Sequence, residues 1–463
     1  MKNKKQLLVL TFALLLTTFA VAQMSSPPPA APAKPFKLPP RQSFTLPNGL
    51  VANLVEYGSL PKVQITVAVR AGNLNEKANQ VWLADLTGDL MREGTKSKTA
   101  EQVDEAFARM GGRLTVTTSD DQTLISADVL SEHATEAARL LAEVTTAPRL
   151  PESELPRLKN DLLRQLAIGK TQPRQIGLEH FRKLLYGDHP YGRIFPTEEM
   201  VKGYSQADVQ KFYDDDFGAA RTHVYVAGKF DSAAVKSALT QAFSSWKKGA
   251  APLIDIPKPH AEHTLELVEK PAAVQSTLYI GLPTIDPSQP DYIPLQVMHT
   301  MLGGSFISRI TQNIREDKGY TYSPFAQVSS RYRDAYWVEI ADVTTAVTGP
   351  SMKEIFGEID RIRGSPPSAE ELGRIQRYMS GVFVLQNSTR QGLIGQLNFV
   401  DLHGLGDEYL RSYVQKVNAV TAADVQRAAQ KYIDPAKMTI VVVGDSQKIN
   451  DQVAPYKTAA MKR

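Results

Sequence analysis

The chain has 463 residues, no cysteine and a formal net charge of +4. Without thiols it can form neither a disulfide nor a thiolate zinc site, so its fold must stand on core packing alone. Lys2, Lys4 and Lys5 supply three of the positive charges, so loss of residues 1–22 would leave +1. No Lys/Arg-rich run remains to mark a nucleic-acid footprint.

The first residues, MKNKKQLLVLTFALLLTTFAVAQ, have a basic start, an apolar run from Leu7 to Phe19 and a small-x-small end at Ala20-Val21-Ala22. That pattern predicts a signal peptide over 1–22, and with it a periplasmic or secreted bacterial protein. Nothing later is apolar for long enough to span a bilayer. Residues 23–40, rich in Pro, Ala and Ser, read as an extended linker.

Alternating apolar residues then flank Asn48-Gly49, which predicts a hairpin. A third strand follows at 62–72, helices around 78–92 and 100–110, and two strands within 113–130. Helices around 132–145, 152–168 and 175–186 come next, and THVYVAG (222–228) reads as a buried strand.

The second half repeats the first. SQADVQKFYDDDFGAARTHVYVAGKFD, starting at Ser205, aligns with TAADVQRAAQKYIDPAKMTIVVVGDSQ, starting at Thr421, an offset of 216. PESELPRLKNDLL (151–163) resembles PSAEELGRIQRYM (367–379) at the same offset. The expectation is therefore a duplicated domain: 41–246, a Pro-rich linker at 247–263, and 264–463. Hairpins and helices do not alternate strictly, which predicts an α+β fold, each domain a mostly antiparallel sheet covered by helices.

No phosphate-binding glycine loop and no G-x-S-x-G elbow occurs. The eight histidines are scattered, and His260 and His263 sit in the linker with no helix to orient them. Asp85 and Asp89, four apart, share a face if VWLADLTGDLMREGT is a helix. In the second half, MLGGSFISRITQNIREDKGYTYSPFAQV (301–328) places Arg315 near the end of a helical segment, SFISRITQNIRED. Gly319 is expected to stop that helix, and Tyr320 and Tyr322 to share one side of a following strand.

The REDKGYTY, GGSF and VVVGD segments and the tandem repeat together resemble the M16 peptidases, the insulinase, pitrilysin and mitochondrial-processing-peptidase family. In active members an H-x-x-E-H helix of the first domain and a distal Glu hold zinc and activate water. Aligned from Gly94-Thr95, the resemblance puts Asp85 and Asp89 at the two His positions, Gly88 at the catalytic Glu and Gln165 at the distal Glu. All four have changed, so no metal is expected in this chain and the helix face is expected to be a solvated lining of a chamber.

A second family pattern is kept. Arg315 and Tyr322 match the Arg and Tyr that bind substrate backbone and stabilise the tetrahedral intermediate. The resemblance therefore implies a subunit inactive alone. A partner carrying H-x-x-E-H would bring Zn2+, and together the two would hydrolyse unfolded peptides. The alternative is an inactive homodimer that binds peptides or acts as a scaffold.

Overall fold

A computed structural model describes residues 37–458. The signal-peptide segment, and the 23–40 linker apart from its last residues, lie outside the described residues. The first half builds one sheet from β1 (Gln42–Thr45), β2 (Val51–Glu56), β3 (Lys62–Val69), β4 (Thr115–Thr118), β5 (Thr123–Leu130) and β6 (Thr222–Gly228). The second half builds another from β7 (Thr264–Glu269), β8 (Gln275–Thr284), β9 (Phe325–Arg331), β10 (Asp334–Thr344) and β11 (Thr439–Gly444).

The strand orders are β1-β2-β6-β3-β5-β4 and β7-β11-β8-β10-β9. Without the edge strand β1 they are the same order, each with one parallel pair, β2 with β6 and β7 with β11. The register repeats too. Val224, Val67 and Ile125 face one another across the first sheet, and Ile440, Ile280 and Glu339 across the second. The architecture is thus α+β, two sheets of like topology flanked by helices.

Asn48-Gly49 lies in a hairpin as expected, but the turn is wider than two residues. Thr45 pairs with Val51, and Leu46 N–H bonds Leu50 O at 2.8 Å. The Asn48 side chain explains the wider turn, because its amide donates to the carbonyls of Phe243 and Trp246 instead of closing a tight loop.

Each sheet buries one face under helices of its own half. The other faces are covered by exchange. Helix Pro173–Tyr186, from the first half, lies on β8 and β11; helix Arg390–His403, from the second, lies on β3 and β6. Phe181 of the first helix meets the rings of Tyr279 and Tyr336 at 5.8 and 5.4 Å. Burial of such a side chain stabilises by about 1.5–3 kcal/mol. The approach is close enough that a Cβ on Gly177 would sit 2.7 Å from the Tyr279 ring.

Polar groups fasten the same junction. Asp120 takes Arg182 Nη2 at 3.0 Å and Arg331 Nε at 2.6 Å. Burial alone would raise the Asp120 pKa, but Arg331 and Arg182 outweigh it and hold it down at about 2.

Candidate functional site

The first candidate region is helix Leu83–Met91. Leu83, Leu86 and Leu90 are spaced to face the core and are buried. The helix starts from Trp82 in a left-handed conformation, φ 70°, with no side-chain cap of its own. A remote group does the capping: Ala84 N–H donates to Glu76 Oε1 at 2.8 Å.

Asn73 then ties this cap to Asp85. Its amide donates to Asp85 Oδ2 at 2.7 Å and to Glu76 Oε1 at 3.2 Å. Burial, reinforced by the nearby Asp85 charge, raises the Glu76 pKa to about 8. Burial also raises the Asp85 pKa, against the Asn73 hydrogen bond. Both carboxyls are thus biased toward the protonated form, and the helix face expected to be solvated is only partly exposed, at Asp85 and Asp89.

Gly88 is buried. A Cβ there would lie 2.8 Å from Thr118 Oγ1 and 3.5 Å from Val116 Cγ1, both on β4. The edge strand thus occupies the space into which a longer side chain would grow. Asp89 is half-buried, and burial followed by the Asp85 charge raises its pKa. Helix Leu155–Gly169 packs against this helix and carries Gln165, which is exposed.

These residues do not fit a zinc site. One aspartate is committed to Asn73, the base position is a glycine under β4, and the third position is a neutral, exposed amide. Among the described residues no group of three or more His, Cys, Asp or Glu could hold a metal ion.

The second region surrounds Arg315 and Tyr322. The expected helix from Ser305 is instead a turn followed by a π-helix at Thr311–Asp317. Local hydroxyls compete for its first turn. Ser305 Oγ donates to Thr300 O at 3.0 Å, and Thr311 Oγ1 donates to Ser305 O at 3.3 Å. The π-helix turns Arg315 toward Phe306 and Tyr322, whose ring centres lie 4.4 and 5.1 Å from its guanidinium carbon.

Tyr320 and Tyr322 are not in a strand. Thr321 makes one isolated bridge to Val343, and β9 begins only at Phe325, after Pro324. Proline brings no N–H to a ladder, which delays the strand. Tyr320 is half-buried, while Tyr322 is 79 % exposed. Among the described residues its hydroxyl has no hydrogen-bond partner. The cleft here, of about 390 Å³, is lined by Gly303, Phe306, Arg315, Tyr322, Phe325 and Tyr378 among others, all from the second half.

Asn73, Glu76 and Thr118 carry the first region, and the sequence reading did not identify them. Glu76 caps an amide eight residues away, and Thr118 arrives from another element, so no local spacing marks either.

Comparison with known proteins matches residues 54–196 to the insulinase (peptidase family M16) model and 204–379 to the model described as the peptidase M16 inactive domain. The uncharacterized zinc protease YmxG of Bacillus subtilis is 26 % identical over 391 residues, 84 % of this chain and 94 % of that protein. A peptidase M16 inactive domain from Pseudomonas fluorescens superposes with a TM-score of 0.82 at 23 % identity, covering 88 % of this chain and 98 % of that one. The periplasmic protease PqqL of Escherichia coli gives 0.75 at 16 % identity, over 91 % of this chain and 47 % of that one.

Proposed function

Because the chain belongs to peptidase family M16, we propose that it is the subunit without zinc of a two-chain metallopeptidase, and that it donates Arg315 and Tyr322 to the site of a partner bearing H-x-x-E-H. The observation that carries this reading is the contrast in satisfaction. At the zinc-motif positions Asp85 is bonded to Asn73 and Gly88 brings no ligand, whereas Tyr322 stands exposed with a hydroxyl that bonds nothing among the described residues.

The chemistry divides accordingly. The partner supplies the zinc and the attacking water. This chain supplies a phenol and a guanidinium, two donors suited to a peptide carbonyl whose oxygen gains charge on attack. Unfolded peptides are the substrates, and the place of action is the periplasm, to which residues 1–22 would direct the chain. No helix of the described residues is long and apolar enough to cross a membrane.

The test is co-expression with an H-x-x-E-H protein of the family, scored by co-purification and by cleavage of an unfolded peptide. The mixture should exceed either chain alone. Arg315→Ala or Tyr322→Phe should lower its turnover by about 10²–10³, the usual cost of losing one oxyanion donor. Turnover unchanged by both substitutions would sink the reading and leave a homodimeric peptide-binding or scaffold protein.

A further inference from the structure

Tyr322 has to be held in place by something other than itself. Its side chain is 79 % exposed, and among the described residues it makes no hydrogen bond and turns its ring face to Arg315. Its position is therefore fixed through the residues on either side. On the N-terminal side, Thr321 Oγ1 donates to Asp342 O at 2.7 Å, and Thr344 N–H donates to Tyr320 O at 3.2 Å. Both anchors come from the end of β10, within the same half.

The anchor on the C-terminal side comes from the other half. Arg174, the second residue of helix Pro173–Tyr186, donates from Nη2 to Ser323 O at 3.2 Å. Its Nε donates to Asp342 Oδ2 at 2.6 Å, and its guanidinium carbon lies 5.3 Å from the centre of the Phe325 ring. The Arg174 backbone is pinned in turn, because Tyr279 Oη donates to Arg174 O at 2.8 Å. The second Asp342 oxygen accepts from Thr277 Oγ1 at 2.5 Å, so the carboxylate cannot swing away.

We propose that Arg174 is a positioning residue, a cross-half clamp that sets the Tyr322 loop against Arg315 and so shapes the catalytic pair from the first half of the chain. The proposal rests on the role given above to Arg315 and Tyr322. The planar guanidinium suits this task because one group serves a carbonyl, a carboxylate and a ring face at once. A lysine can keep the charge but not the fork.

The test uses two readouts. In the free chain, hydrogen exchange of segment 320–326 should accelerate at least tenfold in Arg174→Ala. In Arg174→Lys it should be intermediate. Exchange in β8 and β11 should be unchanged, showing that the variants fold. In the mixture with the zinc-bearing partner, Arg174→Ala should lower kcat at least tenfold with KM changed less than threefold, and Arg174→Lys should recover part of that loss. Unchanged exchange in 320–326 overturns the clamp whatever the mixture does. Faster exchange with turnover intact overturns it as a positioning residue, provided Arg315→Ala does lower turnover in the same assay. If Arg315→Ala also leaves turnover intact, the complementation reading has failed, and the clamp is decided by the exchange result alone.

Discussion

In the first half, Asn73 bonds both Glu76 and Asp85 at the start of a helix, and Gly88 is roofed by Thr118. In the second half, Arg315 and Tyr322 touch each other and point into an open cleft. The two sheets beneath these regions run in the same order. The difference teaches that polar residues of a duplicated fold can be spent in two ways. A group whose bonds close within the chain serves stability, and a group left open in a cleft is available to another molecule.

The closed region breaks most readily at Gly88. Gly88→Glu should destabilise the chain by about 2 kcal/mol, since the new side chain overpacks β4. Thr118→Ala in the same chain should recover most of that loss. Urea unfolding of the single and double variants checks both. Full stability in the single variant would mean that β4 does not fill the site.

A second contrast lies in the sheets themselves. Glu339 stands where the first half has Ile125, and both of its carboxyl oxygens are buried without a hydrogen-bond partner among the described residues. Burial alone raises its pKa well above the ordinary carboxyl range. Glu339→Ile should therefore stabilise the chain by about 1–3 kcal/mol, the cost of an unsatisfied buried polar group. A fall in the melting temperature would show that the carboxyl has a partner in solution.

The Glu76 cap should give the first half its own pH signature. Its folded pKa, about 8, lies above the ordinary carboxyl value of 4.5. Between those values the unfolded chain has released a proton that the folded chain keeps, so stability falls as pH rises from 4.5 to 8. Glu76→Gln keeps an oxygen for Ala84 N–H and should flatten that slope. Denaturation midpoints measured from pH 5 to 8.5 would expose a slope that survives the substitution.

The smallest effect belongs to the open region. Tyr322→Phe should change stability by less than about 0.5 kcal/mol, because the hydroxyl bonds nothing among the described residues. A larger loss in calorimetry would place Tyr322 among the structural residues and erase the contrast.

Much of the fold was legible because its signals are local. Apolar alternation located the strand expected at 62–72 and found at 62–69, a continuous apolar run located the one at 222–228, and the repeat at an offset of 216 implied that one topology occurs twice. The failures have local causes of another kind. Helix Leu83–Met91 begins five residues later than its pattern, because Trp82 adopts a left-handed turn and Glu76 caps from a distance. The helix expected from Ser305 gives way to hydroxyl-bonded turns. The partial cover over Asp85 was not legible, because spacing records which residues share a face and not what covers that face. Arg174 could not be found from spacing at all, since its partners lie 149 and 168 residues away.

The exchanged helices make each half incomplete as a folding unit. The second faces of both sheets are buried largely by segments whose own half lies on the far side of the linker, the two exchanged helices foremost. Severed at residues 247–263, the pieces would each present a bare apolar sheet face and an orphaned helix. They should recombine with each other, or aggregate, before either folds alone. Contacts so distant in sequence also close late, so the slow step in refolding should be the docking of the two halves and not the formation of either sheet. The chain is a single cooperative object that happens to be written twice.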